Sequence, residues 1–170
     1  MRSMFKVNDV VKYGSNGICR IVDISTKTFG DSDAEYYILE PLRTKASTYY
    51  VPTQNETLVS RMQMMLTAED VHALIREIPS CEVEWVENDK KRMETYSAVI
   101  SSGSRRDIIG VIRTLYHKKC ALEKSGKRLH VADERLMKDA ERIIHDEFAA
   151  VLNIDISEVG SFIARSLEDE

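Results

Sequence analysis

Side chains that could perform catalysis are few in this sequence, and they lie far apart. The motifs GxxxxGK[ST], GxGxxG, HExxH and GxSxG, which serve phosphate binding, zinc chemistry or a serine nucleophile, do not occur. His117 and Cys120 are three residues apart on a predicted helix, but two ligands do not make a zinc site. Cys19 lies in a predicted strand, which is typical of a buried structural thiol. We therefore predict that the protein is not an enzyme and binds no metal or cofactor.

Charge is a better guide to function, because basic residues are concentrated in one stretch of an acidic protein. The net charge is -4 at pH 7, yet residues 85–135 carry 12 basic and 7 acidic residues, while residues 136–170 carry 3 and 9. Clustered cations attract nucleic-acid phosphates through salt-dependent contacts that carry no sequence information. Solvated helix faces that favour lysine are the alternative. The predicted basic face consists of Lys90, Lys91, Arg92, Arg105, Arg106, Lys118, Lys119, Lys127, Arg128 and Arg135. The candidate DNA contacts selected from it are Lys90, Lys91, Arg92, Lys118, Lys119 and Arg135.

The single tryptophan, Trp85, lies within the charged run CEVEWVENDKKR at residues 81–92. Proteins that read the shape of the minor groove often insert one apolar side chain at a base step, while neighbouring cations hold the backbone. A large apolar ring is also commonly packed in a core. The sequence therefore leaves two roles open for Trp85, a side chain inserted into DNA and a packed structural residue.

A second candidate binding element is the run Tyr49-Tyr50-Val51-Pro52. It is predicted to be the last strand of a small sheet, and an exposed strand edge can accept a strand from a partner through its free backbone groups. The alternative is that Tyr49 and Tyr50 simply alternate between the core and solvent, as neighbours in any strand do.

The first 54 residues carry that edge, and their pattern predicts an antiparallel meander of four short strands. Each run is rich in Val, Ile and Tyr, and turn residues separate the runs at Asn16-Gly17, Gly30 to Asp33 and Leu42 to Ser47. Strands of this length and spacing curl into a small barrel. The predicted strands are FKVNDVVKY, ICRIVDI, YYILEP and STYYVP.

From about residue 65 the apolar residues recur with the helical period of about 3.6, which predicts a helical second half. Thr67 and Asp70 form a capping-box pattern before the first helix, and Pro79 ends that helix. Further helices are predicted over about 88–101, from Ser104 to a loop at 124–127, from near Asp133, and at the C-terminus.

The predicted fold class is therefore α+β in two domains. A small N-terminal antiparallel β barrel of the SH3 or Tudor kind occupies residues 1–54, a linker residues 55–66, and a C-terminal all-helical bundle of about five short helices residues 67–170. Three widely spaced cysteines and the absence of an apolar signal segment predict a reducing, cytoplasmic location. No apolar run approaches the roughly 18 residues that span a bilayer, so we exclude a membrane protein.

Several runs of residues occur in the order and at the spacing of a known family. They are MFKVNDVVKYGSNGICRIVDI, YYILEP, STYYVP, the SSG before a helix containing VIRTLY, and the ADERLMKDAERII helix. Together they resemble the CarD/CdnL/TRCF family of bacterial transcription regulators over essentially the whole chain.

The resemblance implies an N-terminal Tudor-like domain that binds the β subunit of RNA polymerase, and a C-terminal helical domain that binds promoter double-stranded DNA. Trp85 matches, in order, a family tryptophan that inserts into the minor groove at the upstream edge of the melted region, with Lys118 and Arg135 on the DNA-facing helices. Many members have an arginine at the position of Tyr50, so the polymerase contact is expected to be more aromatic here. The implied polymerase-binding residues are Lys27, Tyr49, Tyr50, Val51 and Pro52.

Two functional hypotheses follow from these patterns. In the first, a monomeric regulator binds polymerase and promoter DNA without sequence specificity and stabilises the open promoter complex, because its DNA contacts form only with a bent or melted edge. In the second, the protein is a polymerase-binding or protein-binding adaptor whose helical domain contacts proteins and not DNA. The acidic segments on both sides of residues 85–135 favour the second.

Overall fold

The computed structural model describes residues 5–43 and 47–168, and the chain divides into two compact units, Met1–Met65 and Leu66–Glu170. The turn predicted over residues 42–47 includes residues 44–46, which lie outside the described residues.

The first unit is a five-stranded antiparallel sheet. A short helix, α1 (Glu56–Val59), precedes its last strand. The strand order across the sheet is β4-β3-β2-β1-β5. The predicted fold class, a small antiparallel β unit of the Tudor kind followed by a helical unit, is confirmed. The strands are β1 (Val10–Tyr13), β2 (Ile18–Phe29), β3 (Ser32–Pro41), β4 (Tyr49–Pro52) and β5 (Met62–Met64).

The core of the first unit lies on one face of this sheet. Cys19 and Ile21 of β2 are fully buried, whereas Arg20 between them is exposed. The same alternation buries Leu39 of β3 and Val51 of β4. Since successive side chains of a strand point to opposite faces, every second residue of these strands is directed away from the core.

The β2–β3 hairpin is longer than the sequence pattern predicts. β2 continues to Phe29 and β3 begins at Ser32, so that only Gly30 and Asp31 form the turn. Gly30 takes a φ of 66°, which glycine adopts without strain. Most of the added residues are polar and exposed, so they lack an apolar alternation, but the β-branched Thr26 and Thr28 favour a strand.

Residues 55–66, predicted as a linker, contain α1 and β5. β5 pairs antiparallel with β1, and Met62 lies opposite Tyr13 and is buried. Asn55 caps α1 by accepting a hydrogen bond from the backbone N–H of Leu58. A strand of three residues is too short to show a period of two, so the sequence pattern missed β5.

The second unit contains five α-helices within its described residues. Their ends follow local capping rules: Thr67 and Asp70 form the predicted capping box, and Ser104 accepts a hydrogen bond at the start of its helix. Asn153, with a φ of 55°, ends the longest helix in the left-handed conformation. The helices are α2 (Ala68–Glu77), α3 (Asp89–Ser102), α4 (Arg105–Lys124), α5 (Val131–Leu152) and α6 (Val159–Glu168).

The two longest helices, α4 and α5, form the centre of the second unit. Ile108 and Leu115 of α4 pack in one core with Ile144 and Phe148 of α5, and all four are almost completely buried. Helical spacings of four and seven place each pair on one face of its helix. Tyr96 of α3 is the largest fully buried side chain.

A buried ion pair fixes the start of α4 against α5. The Arg105 guanidinium donates to Glu147 from Nε at 2.9 Å and from Nη2 at 2.7 Å, and Glu147 is 0% exposed. The same carboxylate accepts a hydrogen bond from the backbone N–H of Leu66 at 3.2 Å. These charge-assisted bonds offset the free-energy cost of removing the carboxylate from water.

Replacing Arg105 with glutamine is expected to lower the unfolding free energy of the second unit by about 3–5 kcal/mol, because it leaves the Glu147 carboxylate buried without a counter-charge. The measurement is urea unfolding followed by Trp85 fluorescence. The matched control is Arg142→Gln, which removes an exposed pair with Asp139 and should change the free energy by less than about 1 kcal/mol. Equal effects of the two substitutions would contradict the prediction.

Candidate functional site

Trp85 lies in an extended segment without helix or strand, residues 81–88, which we call the Trp85 segment. Backbone groups outside regular elements need other hydrogen-bond partners when they are removed from water. Side chains of α3 and α4 provide several of these partners. The first is Arg113 of α4, which donates from Nη1 to the Cys81 carbonyl oxygen at 2.7 Å.

The Trp85 segment lies directly against α4. Thr114 Oγ1 donates to the Val83 carbonyl oxygen at 3.1 Å. One turn earlier on the helix, a β-carbon added to Gly110 would lie 3.0 Å from Val83 Cγ1 and 3.1 Å from the Glu82 carbonyl carbon. A side chain at position 110 would therefore push the segment away from the helix.

Two residues of α3 bind the rest of the Trp85 segment. The Tyr96 hydroxyl donates to the Glu84 carbonyl oxygen at 2.8 Å. Burial of this side chain raises the pKa of the Tyr96 phenol, so it stays a protonated donor at neutral pH. Arg92 Nη1 donates to the carbonyl oxygens of Val86 and Glu87 at 2.9 and 3.3 Å. Carbonyls on both sides of the tryptophan are thus held by side chains.

Arg92 was predicted to contact DNA, but the structure places it inside the protein. It is 3% exposed, and it donates to Asp133 of α5 from Nε at 2.9 Å and from Nη2 at 2.7 Å. Nη2 also donates to Asp89 at 2.7 Å, and this bond holds the pKa of the Asp89 carboxyl below its usual value. With its donors directed at protein acceptors, Arg92 is not presented to a phosphate in this structure.

The Trp85 ring lies at the edge of the helical core, half-buried, with two cations beside it. The Arg92 guanidinium carbon is 4.4 Å from the ring centroid and the Lys118 ammonium nitrogen 5.0 Å. Both distances are within the range of cation–π attraction. The ring nitrogen Nε1 is buried and has no hydrogen-bond partner among the described residues. The ring therefore combines features of a packed residue with those of a partly accessible one.

The other predicted DNA contacts divide into exposed and paired cations. Lys90 and Lys91, in the first turn of α3, and Arg135 of α5 are exposed. Lys119 of α4 instead forms an ion pair with Glu134 at 3.3 Å, and this bond raises the pKa of the Lys119 ammonium. Among the predicted residues, the structure brings Trp85 together with Arg92 and Lys118.

A polar groove of about 470 Å³ lies where α4 ends and α5 begins. Its cations include Lys127 and Arg128, which belong to the predicted basic face. Glu123 and the paired Glu134 also line it, so its charge is mixed. The signal for Lys127 and Arg128 was their place in the basic stretch.

The predicted polymerase-facing residues on β4 alternate between the two faces of the sheet. Val51 is fully buried, and Tyr49 packs with its ring centroid 5.6 Å from that of Tyr13 in the core. Tyr50 points to the other face and is 44% exposed. The structure therefore bears out the alternation of Tyr49 and Tyr50 between core and solvent, and it leaves the side chains of Tyr50 and Pro52 on the outward face.

β4 is an edge strand, and its outer backbone groups come from Tyr50. The Thr53 N–H donates to the Glu35 carbonyl oxygen. Because hydrogen-bonded residues alternate along an antiparallel strand pair, Val51 is also hydrogen-bonded to its partner on β3, Tyr37. The N–H and C=O of Tyr50 then point away from β3. Within the described part of the chain, no strand pairs with β4 on that side.

Three aromatic rings form a cluster on the outward face of the sheet, which we call the aromatic patch: Phe29, Tyr36 and Tyr50. Ring centroids of Phe29 lie 5.1 Å from Tyr36 and 5.3 Å from Tyr50, both edge-on, and Phe29 is 50% exposed. Lys27, two residues before Phe29 on β2, shares its face and is exposed. Two of the predicted polymerase-binding residues, Lys27 and Tyr50, therefore lie on the same face of the sheet.

The sequence analysis missed Phe29 and Tyr36. The strand register brings Tyr36 opposite Pro52 and Phe29 opposite Ser32. The signal available in the sequence was the position of Phe29 directly before the Gly30-Asp31 turn. A large apolar residue at a hairpin tip has no core to enter.

Two of the three cysteines lie in the protein interior. Cys19 and Cys81 are fully buried, and burial raises the pKa of the Cys19 thiol to about 11. No cluster of three or more potential metal ligands occurs in residues 5–43 and 47–168. In the same residues, no helix has the length and apolar character needed to cross a membrane.

Comparison with known families gives two matches that together span most of the chain. Residues 5–63 match the CarD-like/TRCF RID domain, and residues 70–164 match the CarD C-terminal domain. The boundary between the two matches falls around the division between the two structural units at Met65 and Leu66. A search of curated proteins gave no significant match.

Proposed function

The chain belongs to the CarD family of transcription regulators, which interact with RNA polymerase, and we propose that it binds the polymerase β subunit and promoter DNA. The family resemblance seen in the sequence is confirmed. The family is non-enzymatic. The first unit is proposed to bind the β subunit and the second to bind DNA.

The observation that carries the DNA proposal is the position of Trp85 at the edge of the helical core with Lys118 beside it. A half-buried ring next to a cation is the combination of side chains used in minor-groove insertion, in which the ring stacks against a base step and the cation binds a phosphate. Lys90, Lys91 and Arg135 are exposed in the same unit and supply further cations. We propose that these residues contact double-stranded DNA without reading its sequence.

The proposed effect is stabilisation of the open promoter complex. A ring inserted at the upstream edge of the melted region binds a kinked or opened step more tightly than a stacked one. A protein can shift an equilibrium only by its difference in affinity for the two states, and about 1.4 kcal/mol of difference shifts it tenfold. A small DNA interface is therefore sufficient.

The polymerase contact is proposed to consist of the β4 edge and the aromatic patch, with Lys27 on the same face. The outward N–H and C=O of Tyr50 can bond a strand of the partner, while Phe29 and Tyr36 extend the apolar contact beyond β4. Tyr49 and Val51 hold Tyr50 at this edge, because their side chains enter the core and their backbone groups face β3. A partner strand with apolar side chains fits the β4 edge, and a carboxylate of the partner that lies over the outward face of the sheet fits Lys27.

Replacing Trp85 with alanine is expected to shorten the lifetime of open complexes about tenfold, corresponding to roughly 1.4 kcal/mol of lost differential binding. The measurement is the decay of heparin-resistant complexes of polymerase on a ribosomal-type promoter. The unfolding free energy, followed by circular dichroism, should fall by less than about 3 kcal/mol, since a larger loss indicates a core residue. An unchanged lifetime in a folded variant would refute the role of the ring.

Replacing Lys118 with glutamine should reduce the slope of log affinity against log salt for promoter DNA by about 0.9, because one phosphate contact is lost. The control is Lys6→Gln, which removes an exposed lysine of the first unit and should leave the slope unchanged. If promoter affinity does not depend on salt even in the unaltered protein, the adaptor hypothesis, in which the second unit binds proteins, replaces this proposal.

Replacing Tyr50 with aspartate should weaken binding to core RNA polymerase at least about tenfold, because it places a charge in the aromatic patch at the edge of β4. The matched control is Met64→Asp on β5 at the opposite edge of the same sheet, where the side chain is 55% exposed. Binding is measured by interferometry with immobilised polymerase. Equal losses for the two variants would show that polymerase does not prefer the β4 edge.

A further inference from the structure

We infer that Arg92 positions Trp85 and is not itself a DNA contact, although its place in the cluster Lys90-Lys91-Arg92 indicates a phosphate-binding cation. This inference rests on the proposed function, since it concerns the ring to which the DNA role is assigned.

The first observation is the set of acceptors around the Arg92 guanidinium. It binds Asp133 with two hydrogen bonds, Asp89 with one, and the carbonyl oxygens of Val86 and Glu87. An arginine directed at four protein acceptors, with a side chain 4% exposed, has no donor turned to solvent in this arrangement.

The second observation is where those acceptors lie. Val86 and Glu87 are the two residues that follow Trp85, and Asp133 belongs to α5, 41 residues after Arg92 in the sequence. The guanidinium therefore ties the backbone next to the ring to a helix of the core. It also lies 4.4 Å from the ring centroid, so the same group contacts the ring itself.

The third observation is the contrast with Lys118. Lys118 lies 5.0 Å from the ring centroid, and its side chain is only half-buried on α4. A flexible ammonium at that position can turn to a phosphate, whereas the planar guanidinium of Arg92 is held by two carboxylates and two carbonyls. Of the two cations beside the ring, Lys118 is thus the phosphate contact and Arg92 the positioning residue.

The test uses the full chain and the substitution Arg92→Lys, which keeps the positive charge beside Asp133. A single ammonium cannot bond Asp133, Asp89 and both carbonyls with the same geometry, so the Trp85 segment should become more mobile. Since Trp85 is the only tryptophan of the chain, its fluorescence reports this directly. The matched control is Arg135→Lys, the same exchange at an exposed arginine of α5.

Arg92→Lys is expected to red-shift Trp85 emission, to increase acrylamide quenching and to shorten the lifetime of open complexes. The salt slope of promoter affinity should stay within about half a unit of the original, because each phosphate contact contributes about 0.9. Arg135→Lys should leave emission and quenching unchanged. Unchanged quenching in Arg92→Lys would overturn the inference.

A second variant covers the case in which Arg92→Lys does not fold, as shown by circular dichroism. Asp89→Asn leaves the buried pair of Arg92 with Asp133 intact and weakens only the exposed bond to the guanidinium. Acrylamide quenching of Trp85 should also rise in this variant, but by less than in Arg92→Lys. Unchanged quenching in Asp89→Asn would likewise overturn the inference. If quenching rises while Trp85→Ala leaves open complexes unaffected, the positioning role stands and the proposed function fails.

Discussion

The ion pair between Arg92 and Asp133 joins parts of the helical unit that are distant in sequence. Its distances of 2.7 and 2.9 Å and its burial make it a strong contact, because a buried guanidinium needs a partner for each of its donors. Asp133 fixes the start of α5, and the remaining donors of Arg92 fix the backbone on one side of Trp85. The position of the tryptophan therefore depends on a residue of another helix. The basic run Lys90-Lys91-Arg92 at the start of α3 divides into two exposed lysines and one buried arginine.

The two units present their candidate surfaces in different ways. In the second unit, a segment without regular structure is held by side chains of α3 and α4, and its ring lies at the edge of a core. In the first unit, strand alternation alone separates the surface from the core: Tyr49 and Val51 point inward, and Tyr50 points outward. Sheet geometry places the aromatic patch without any dedicated support, since paired residues of neighbouring strands share a face.

Much of this fold could be predicted from the sequence, because its signals are local. The Thr67–Asp70 capping box, the helix start at Ser104 and the change of period near residue 65 need only neighbouring residues. The role of Arg92 could not be predicted in this way, since it depends on Asp133 in a different helix. The aromatic patch depends on strand register, and β5 is too short to show a period. The family pattern assigned Trp85 and Lys118 to DNA binding and Tyr50 to polymerase binding. The contacts that these residues make within the protein came from the structure.

The unpaired Nε1–H of Trp85 has a thermodynamic consequence. A buried donor without an acceptor raises the free energy of the resting protein by about 1–3 kcal/mol. A partner that lets the ring turn toward water or toward an acceptor on a base edge recovers that free energy on binding. In the proposed function, an acceptor for this N–H at the binding site adds to the affinity, since about 1.4 kcal/mol corresponds to a tenfold change in an equilibrium constant.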